Sequence, residues 1–381
     1  MNYPVKPPGA PFEENQHRLA ATSAKHEADI RVQKKIIIAL VGAVVFVVLI
    51  AVISTGKQGL RSADARRHYD DGHAFNETKD YKQAERELRE AVRLKPGDAS
   101  YQAMLGYVLY KQAKFLASEA SYRAAVHIEP ANATYHDDLA DALYGADKMD
   151  EAVREYREAV RLDPEDGVYP DNLGSALYRQ EKYADSEAAY RESIKRKPEQ
   201  ADSYSDLAAA LLAQKKADKD DQAIAAYKDA IRRAPDKGSY HLDLANLYVK
   251  HKRYAEGEAE DREAARLQPD EASYHAALSE TLVWEEHLPQ ARKAMQEAVR
   301  LDPESAEDRE RLGDIDVMLN DLKSAETDYM RAIKMADNVP DYHAALAKVL
   351  RYRGKTGQAL REEAHAKHLR NHPETPKRKN P

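Results

Sequence analysis

From Ala65 onward the apolar residues recur at helical spacing in short paired blocks, and the blocks themselves recur every 34 residues. A turn proline closes each of the first seven units, at Pro96, Pro130, Pro164, Pro198, Pro235, Pro269 and Pro303, at intervals of 34, 34, 34, 37, 34 and 34. Tyr-x-x-x-Leu follows in most units, as at Tyr101/Leu105, Tyr135/Leu139, Tyr169/Leu173, Tyr240/Leu244, Tyr274/Leu278 and Tyr342/Leu346. Nine units start at Ala65, Ala99, Ala133, Gly167, Ala201, Gly238, Ala272, Ala306 and Pro340, the fifth with a three-residue insertion near 214–221. Positions 8, 20 and 27 of each unit are small, as at Gly106, Ser118 and Ala125. Two antiparallel helices approach closely only where contact points lack bulk, so each unit is predicted to be a helix–turn–helix. In the second helix of the first unit Ala84, Leu88, Ala91 and Val92 form the apolar stripe. The eighth unit departs from the pattern: Asp316 stands where Leu or Tyr is usual.

One segment breaks the alternation. Ile36–Ile53 is eighteen residues without a charge, spanning roughly 27 Å as a helix against a hydrocarbon core of ~30 Å. It follows 35 polar residues, which a cleaved signal peptide would not, so it is expected to be a single-pass membrane anchor. Residues 1–35, with Pro4, Pro7, Pro8, Gly9 and Pro11, read as a flexible tail that turns helical from about Glu14. Residues 54–64 read as a linker, and 374–381 as a basic tail containing Lys377-Arg378-Lys379. Four basic residues lie within fifteen residues on each side of the span. Arg31, Lys34 and Lys35 against Lys57 in the nearest five then point to a cytoplasmic N-terminus, with the repeats on the opposite side.

The 34-residue period with small residues at those offsets resembles the tetratricopeptide repeat family, and the resemblance covers residues 65–373. It implies an all-α fold: a right-handed superhelical solenoid of nine helix-turn-helix repeats, each burying its apolar face against its neighbours. It further implies a protein-interaction scaffold whose first helices line a concave face.

Composition narrows the chemistry. With no Cys, disulfides, thiol nucleophiles and Cys-based metal sites are excluded. A net charge of -7 offers no basic field for nucleic acid, and the repeats leave no segment for a catalytic domain, so no enzyme activity, no cofactor and no small-molecule substrate are expected. No P-loop, GxSxG, HExxH or GxGxxG occurs. His365, His368 and His372 share one face of the last helix and are expected at the surface without metal; the alternative is a regulatory or metal-carrying subunit of a membrane enzyme complex. His136, His241, His275 and His343 recur at one offset, which marks a packing or surface role, and the unique Trp284 is assigned to interhelix packing.

The offsets that point inward in this family carry the candidate binding residues. Tyr110, Tyr144 and Tyr178 share one offset, with Tyr107 beside them. Asp138, Asp141, Asn172, Asp206, Asp243 and Asn246 occupy neighbouring inward offsets. An aromatic floor with acidic walls suits a protein or peptide partner carrying Lys or Arg, through cation–π contact and charge complementarity. Family members that clamp peptide carboxylates use Lys, Arg and Asn at inward positions where this chain has Asp, Ser, Ala and His. The resulting expectation is a membrane-anchored scaffold in envelope biogenesis, secretion or complex assembly.

Overall fold

The computed structural model describes residues 11–372, which form eighteen helices and no strand. The chain divides into two compact units, Met1–Pro130 and Ala131–Pro381. The first holds α1 (Pro11–Glu77), α2 (Tyr81–Leu94), α3 (Ala99–Lys111) and α4 (Phe115–Ile128). The second holds α5 (Ala133–Gly145), α6 (Met149–Leu162), α7 (Val168–Arg179), α8 (Tyr183–Arg196), α9 (Ala201–Ala213), α10 (Ala217–Arg233) and α11 (Gly238–Lys250). It continues through α12 (Tyr254–Leu267), α13 (Ala272–Trp284), α14 (Leu288–Leu301), α15 (Ala306–Met318), α16 (Leu322–Met335), α17 (Pro340–Tyr352) and α18 (Thr356–Asn371). The three-residue insertion of the fifth repeat is absorbed by α10, which has 17 residues where α8 and α12 have 14.

The N-terminal segment carries the helix expected from about Glu14 into the apolar span and departs from the sequence reading at 54–64, expected as a linker. Helix α1 runs unbroken for 67 residues through the expected tail, the apolar segment and the expected linker, and its last turns serve as the first helix of repeat one. After Pro11 the sequence has no proline up to Glu77 to interrupt the ladder, and Gly42, Gly56, Gly59 and Gly72 do not break it. The first ten residues and the basic tail at 374–381 lie outside the described residues.

The turn inside every repeat has one construction. Position 15 takes a left-handed φ in all nine repeats, from Lys79 at 61° and Ala113 at 56° to Asn320 at 60° and Gly354 at 77°. In every repeat but the fifth the next amide then donates back to the carbonyl five residues earlier, as Lys114 to Leu109 at 3.0 Å and Lys148 to Leu143 at 2.9 Å. This Schellman-type closure satisfies carbonyls that the helix end would strand. Only Gly354 adopts it without a β-carbon penalty.

Packing within a repeat follows the small-residue positions. A β-carbon on Gly174 would lie 2.8 Å from the Tyr190 ring, so glycine lets the aromatic side chain cross against the first helix. The Ser186 hydroxyl donates to the Gly174 carbonyl at 2.8 Å, and Ser118 to that of Gly106 at 2.7 Å, locking the same crossing. Leu88, Leu109, Leu139, Leu143, Leu177, Leu211 and Leu244 are fully buried, each stabilising by about 1.5–3 kcal/mol. Histidine at position 4 reaches glutamate at position 23 in four repeats: His68–Glu87, His136–Glu155, His241–Glu260 and His343–Glu362, at 2.6–2.7 Å. In repeat seven position 23 is Ala294, and His275 meets the Pro269 carbonyl instead.

Asp316 is accommodated by charge pairing. It is buried, with Arg292 Nε 2.8 Å from its carboxylate, and burial still pushes its carboxyl up to about 6. Helix α15 keeps the repeat register around it.

Candidate functional site

The first helices of repeats three to six, α5, α7, α9 and α11, carry most of the sequence-derived site residues. Asp138, Asn172, Asp206 and Asp243 all stand at position 6. Asp138, Asp206 and Asp243 are half-buried, and none has a hydrogen bond or ion pair among the described residues. Burial, reinforced by Asp137 and Asp141, pushes the Asp138 carboxyl up to about 7. Burial with Asp171 and Asp202 nearby pushes Asp206 up to about 6, and burial alone raises Asp243. Partly desolvated carboxylates without a cation are the costly form of an acid, and they gain most from a cation brought to them.

The remaining acids and amides, Asn246 apart, are committed to the fold. Asp141 accepts the Tyr156 hydroxyl at 2.5 Å. Asn172 donates to both oxygens of the buried Asp137, at 3.0 and 3.1 Å, tying α5 to α7. Burial holds Asp137 up at about 7 despite that amide. Asp171 accepts the Ser203 hydroxyl at 2.5 Å. Asn246 is exposed.

The tyrosines are placed unequally. Tyr144 is half-buried and the Arg179 guanidinium lies 4.8 Å over its ring, a cation–π contact supplied by the chain itself. Tyr178 is 39% exposed, with only an edge contact to Tyr183 at 5.3 Å. Tyr107 and Tyr110 belong to the first unit, where Lys111 sits 5.1 and 6.0 Å from their rings and Phe115 packs edge-on to Tyr110 at 5.5 Å.

Sequence reasoning misjudged Trp284. It is 56% exposed rather than packed between helices, because position 13 lies at the end of the first helix, beyond the contact with the second. Tyr254 stacks parallel to one face at 6.0 Å. With Val283, Ile315 and Met318, Trp284 lines a groove of about 240 Å³, edged by Glu280, Arg311 and Asp314. The only available signal was the change of residue type at position 13.

The histidines of the last helix do not converge. His365 packs edge-on to His343 at 4.5 Å, whereas His368 faces His372 at 4.8 Å. Among the described residues, Glu258, Glu285 and His287 alone bring three donor atoms within 4.8 Å of one another. Arg262 already donates to Glu258 there, at 2.6 Å.

A Tetratricopeptide repeat profile matches residues 69–133, 103–167, 172–220, 221–272 and 282–343, well over half of the chain. The chain belongs to the tetratricopeptide repeat family. No curated protein matches its sequence. Among solved structures it is similar to the C-terminal part of a tetratricopeptide repeat protein from Cytophaga hutchinsonii, at 11% identity and a TM-score of 0.56, over 65% of this chain and 99% of that one. It is also similar to the MamA protein (18% identity, TM-score 0.42, 46% and 95% of the two chains). A third likeness is to YrrB, described as having an unusual peptide-binding site (14% identity, TM-score 0.41, 48% and 92%). At 11% identity the likeness to the Cytophaga hutchinsonii structure shows the fold alone, and tetratricopeptide repeats of this kind serve as protein-interaction scaffolds.

Proposed function

We propose that the chain is a membrane-anchored scaffold, not an enzyme, whose first helices in repeats three to six bind an extended segment carrying Lys or Arg. The observation that carries this reading is the row of half-buried, unpaired carboxylates at one repeat position, Asp138, Asp206 and Asp243. A solenoid needs no acid at position 6: Ala277 and Ala345 fill it in repeats seven and nine. Tyr178 supplies an exposed aromatic surface beside the row. The experiment is isothermal titration of the full-length chain with synthetic 15-residue peptides containing alternating Lys or Arg, against the same peptides with Glu. Loss of the Lys/Arg preference in Asp138→Asn/Asp206→Asn/Asp243→Asn supports the reading; equal binding by wild type and variant removes it.

The anchor rests on α1. Its apolar stretch within Asp29–Ile50 is long enough to cross a bilayer and is not buried against the protein. Val44, Val45, Phe46 and Val47 stand exposed, an arrangement that water penalises and hydrocarbon accepts. The basic residues nearest the span favour a cytoplasmic N-terminus with the repeats on the opposite side. This arrangement suits recruitment in envelope biogenesis, secretion or complex assembly. Release of the full-length chain from membranes by carbonate would exclude the anchor.

A further inference from the structure

Position 13 ends the first helix of each repeat, and its occupants change character along the chain. Repeats one to six have Glu77, Lys111, Gly145, Arg179, Ala213 and Lys250; repeats seven to nine have Trp284, Met318 and Tyr352. These three are 56%, 54% and 75% exposed. Six repeats fold with charged or small residues at this position, so packing of the unit does not call for a large apolar side chain there. Trp284 and Met318 line one groove, and Tyr352 holds the same position one repeat further on. Three consecutive exposed large hydrophobic groups at one repeat position form the kind of surface that marks interaction sites, and Trp and Tyr are the side chains that most often anchor one.

The charges beside the row are ordered. Glu280 and Glu286 flank Trp284, both exposed, and Lys348 lies exposed on the helix that ends in Tyr352. None of the three has an ion pair among the described residues. Between them Arg311 and Asp314 are occupied, by Glu307 at 2.6 Å and by the Tyr329 hydroxyl. The free charge is therefore negative at the Trp284 end and positive at the Tyr352 end.

We infer that Trp284, Met318 and Tyr352 form a second docking row, which takes a peptide segment with large apolar side chains, a Lys or Arg at the Trp284 end and an Asp or Glu at the Tyr352 end. The apolar groups anchor the segment and the charges set its direction. This site is independent of the position-6 carboxylates and takes a different chemistry, apolar rather than basic.

The chain has one Trp, so its fluorescence reports on this row alone. Full-length protein in lipid nanodiscs is used to select from a phage-displayed random 12-residue peptide library. Trp284→Ser/Met318→Ser/Tyr352→Ser serves as counter-selection, its folding checked by circular dichroism. Expected are enriched peptides with two or more large apolar residues between a basic and an acidic end. They should shift Trp284 emission to the blue and bind Met318→Ser/Tyr352→Ser at least tenfold more weakly. Asp138→Asn/Asp206→Asn/Asp243→Asn should bind them unchanged, which separates failure here from failure of the basic-segment groove. Glu280→Lys/Glu286→Lys should select peptides acidic at both ends, a readout that survives if the triple Ser variant misfolds. No enrichment over the counter-selection, or enriched peptides without charge order, overturns the inference. So does a Trp284 blue shift that appears without peptide, whether on raising protein concentration, meaning a second copy covers the row, or on adding lipid, meaning a membrane does.

Discussion

The Tyr156 hydroxyl donates to the Asp141 carboxylate at 2.5 Å, joining the second helix of the third repeat to its first. Tyr329 and Asp314 make the same bond in the eighth repeat. An acid at position 9 is thus an internal acceptor for the tyrosine at position 24, whereas an acid three residues earlier has no such donor. We predict that Tyr156→Phe lowers stability in urea denaturation by about 1.5–3 kcal/mol, the usual worth of a hydrogen bond to a charged group. Binding of Lys/Arg peptides should stay within twofold of wild type. A large affinity loss at unchanged stability would move Asp141 back into the binding row.

The same burial that primes the position-6 carboxylates gives the chain an inverted pH dependence. Asp137, Asp138 and Asp261 hold their protons up to about pH 7 when folded and lose them near 4 when unfolded. The folded state therefore binds more protons between pH 4 and 7, and stability must fall as pH rises through that window. His241, raised by its hydrogen bond to Glu260, acts in the same sense: its contribution is full below about 6.5 and is lost as pH climbs through its folded value. Carboxylates lowered by ion pairs, such as Glu85 and Asp98, are ionised in both states above pH 5 and do not counter this. We predict a lower melting temperature at pH 8 than at pH 5.5. Asp138→Asn should stabilise at both pH values, and by about 1–2 kcal/mol more at pH 8 than at pH 5.5. A wild-type melting temperature that rises across this range would contradict it.

Affinity should run the opposite way. Asp138 and Asp206 become anionic as pH passes about 7 and about 6, so Lys/Arg-peptide binding is predicted to strengthen at least fivefold from pH 5.5 to 8, by titration calorimetry. In the Asp138→Asn/Asp206→Asn/Asp243→Asn variant that slope should vanish. An unchanged slope in the variant would assign the pH dependence to another group.

What the sequence made legible follows its period. Positions 8, 20 and 27 repeat because two helices must touch there, so the all-helical repeat fold was legible in the sequence. The His–Glu pairs were half legible: the recurring histidine was visible, but its partner lies 19 residues away on the other helix, a spacing that no single-helix pattern reveals. The candidate site was legible as residue types and not as partners. Asp138 and Asp141 look alike in sequence, and only the position of Tyr156 separates the unpaired acid from the paired one. Trp284 was misread because a lone aromatic at a helix end carries no periodicity, and exposure depends on where the second helix turns away.

The left-handed turn residue offers a test of the repeat geometry. Ala113 at φ 56° carries a β-carbon in a conformation that glycine adopts freely. Ala113→Gly is predicted to stabilise the chain by about 0.5–1 kcal/mol, and Ala113→Val to destabilise it by more than 1 kcal/mol, measured by urea denaturation. Equal stability of all three would place this residue in an ordinary right-handed turn.

Tyr144 and Tyr178 share position 12 but should contribute differently to binding. The Tyr144 ring already has Arg179 at 4.8 Å, so an incoming Lys or Arg must displace a cation that the chain supplies and meet its repulsion. Tyr178 meets Tyr183 only edge-on and leaves 39% of its surface exposed, so its contact with a partner adds burial without displacement. Truncating a well-buried aromatic anchor costs about 2 kcal/mol or more, against about 0–1 kcal/mol for an exposed ion pair. We predict that Tyr178→Ala weakens Lys/Arg-peptide binding at least tenfold, with Tyr144→Ala and any single position-6 Asp→Asn change below fivefold. Arg179→Ala should uncover the Tyr144 ring and tighten binding; if it weakens binding instead, Arg179 contacts the partner directly, and the ranking of the two tyrosines reverses with it.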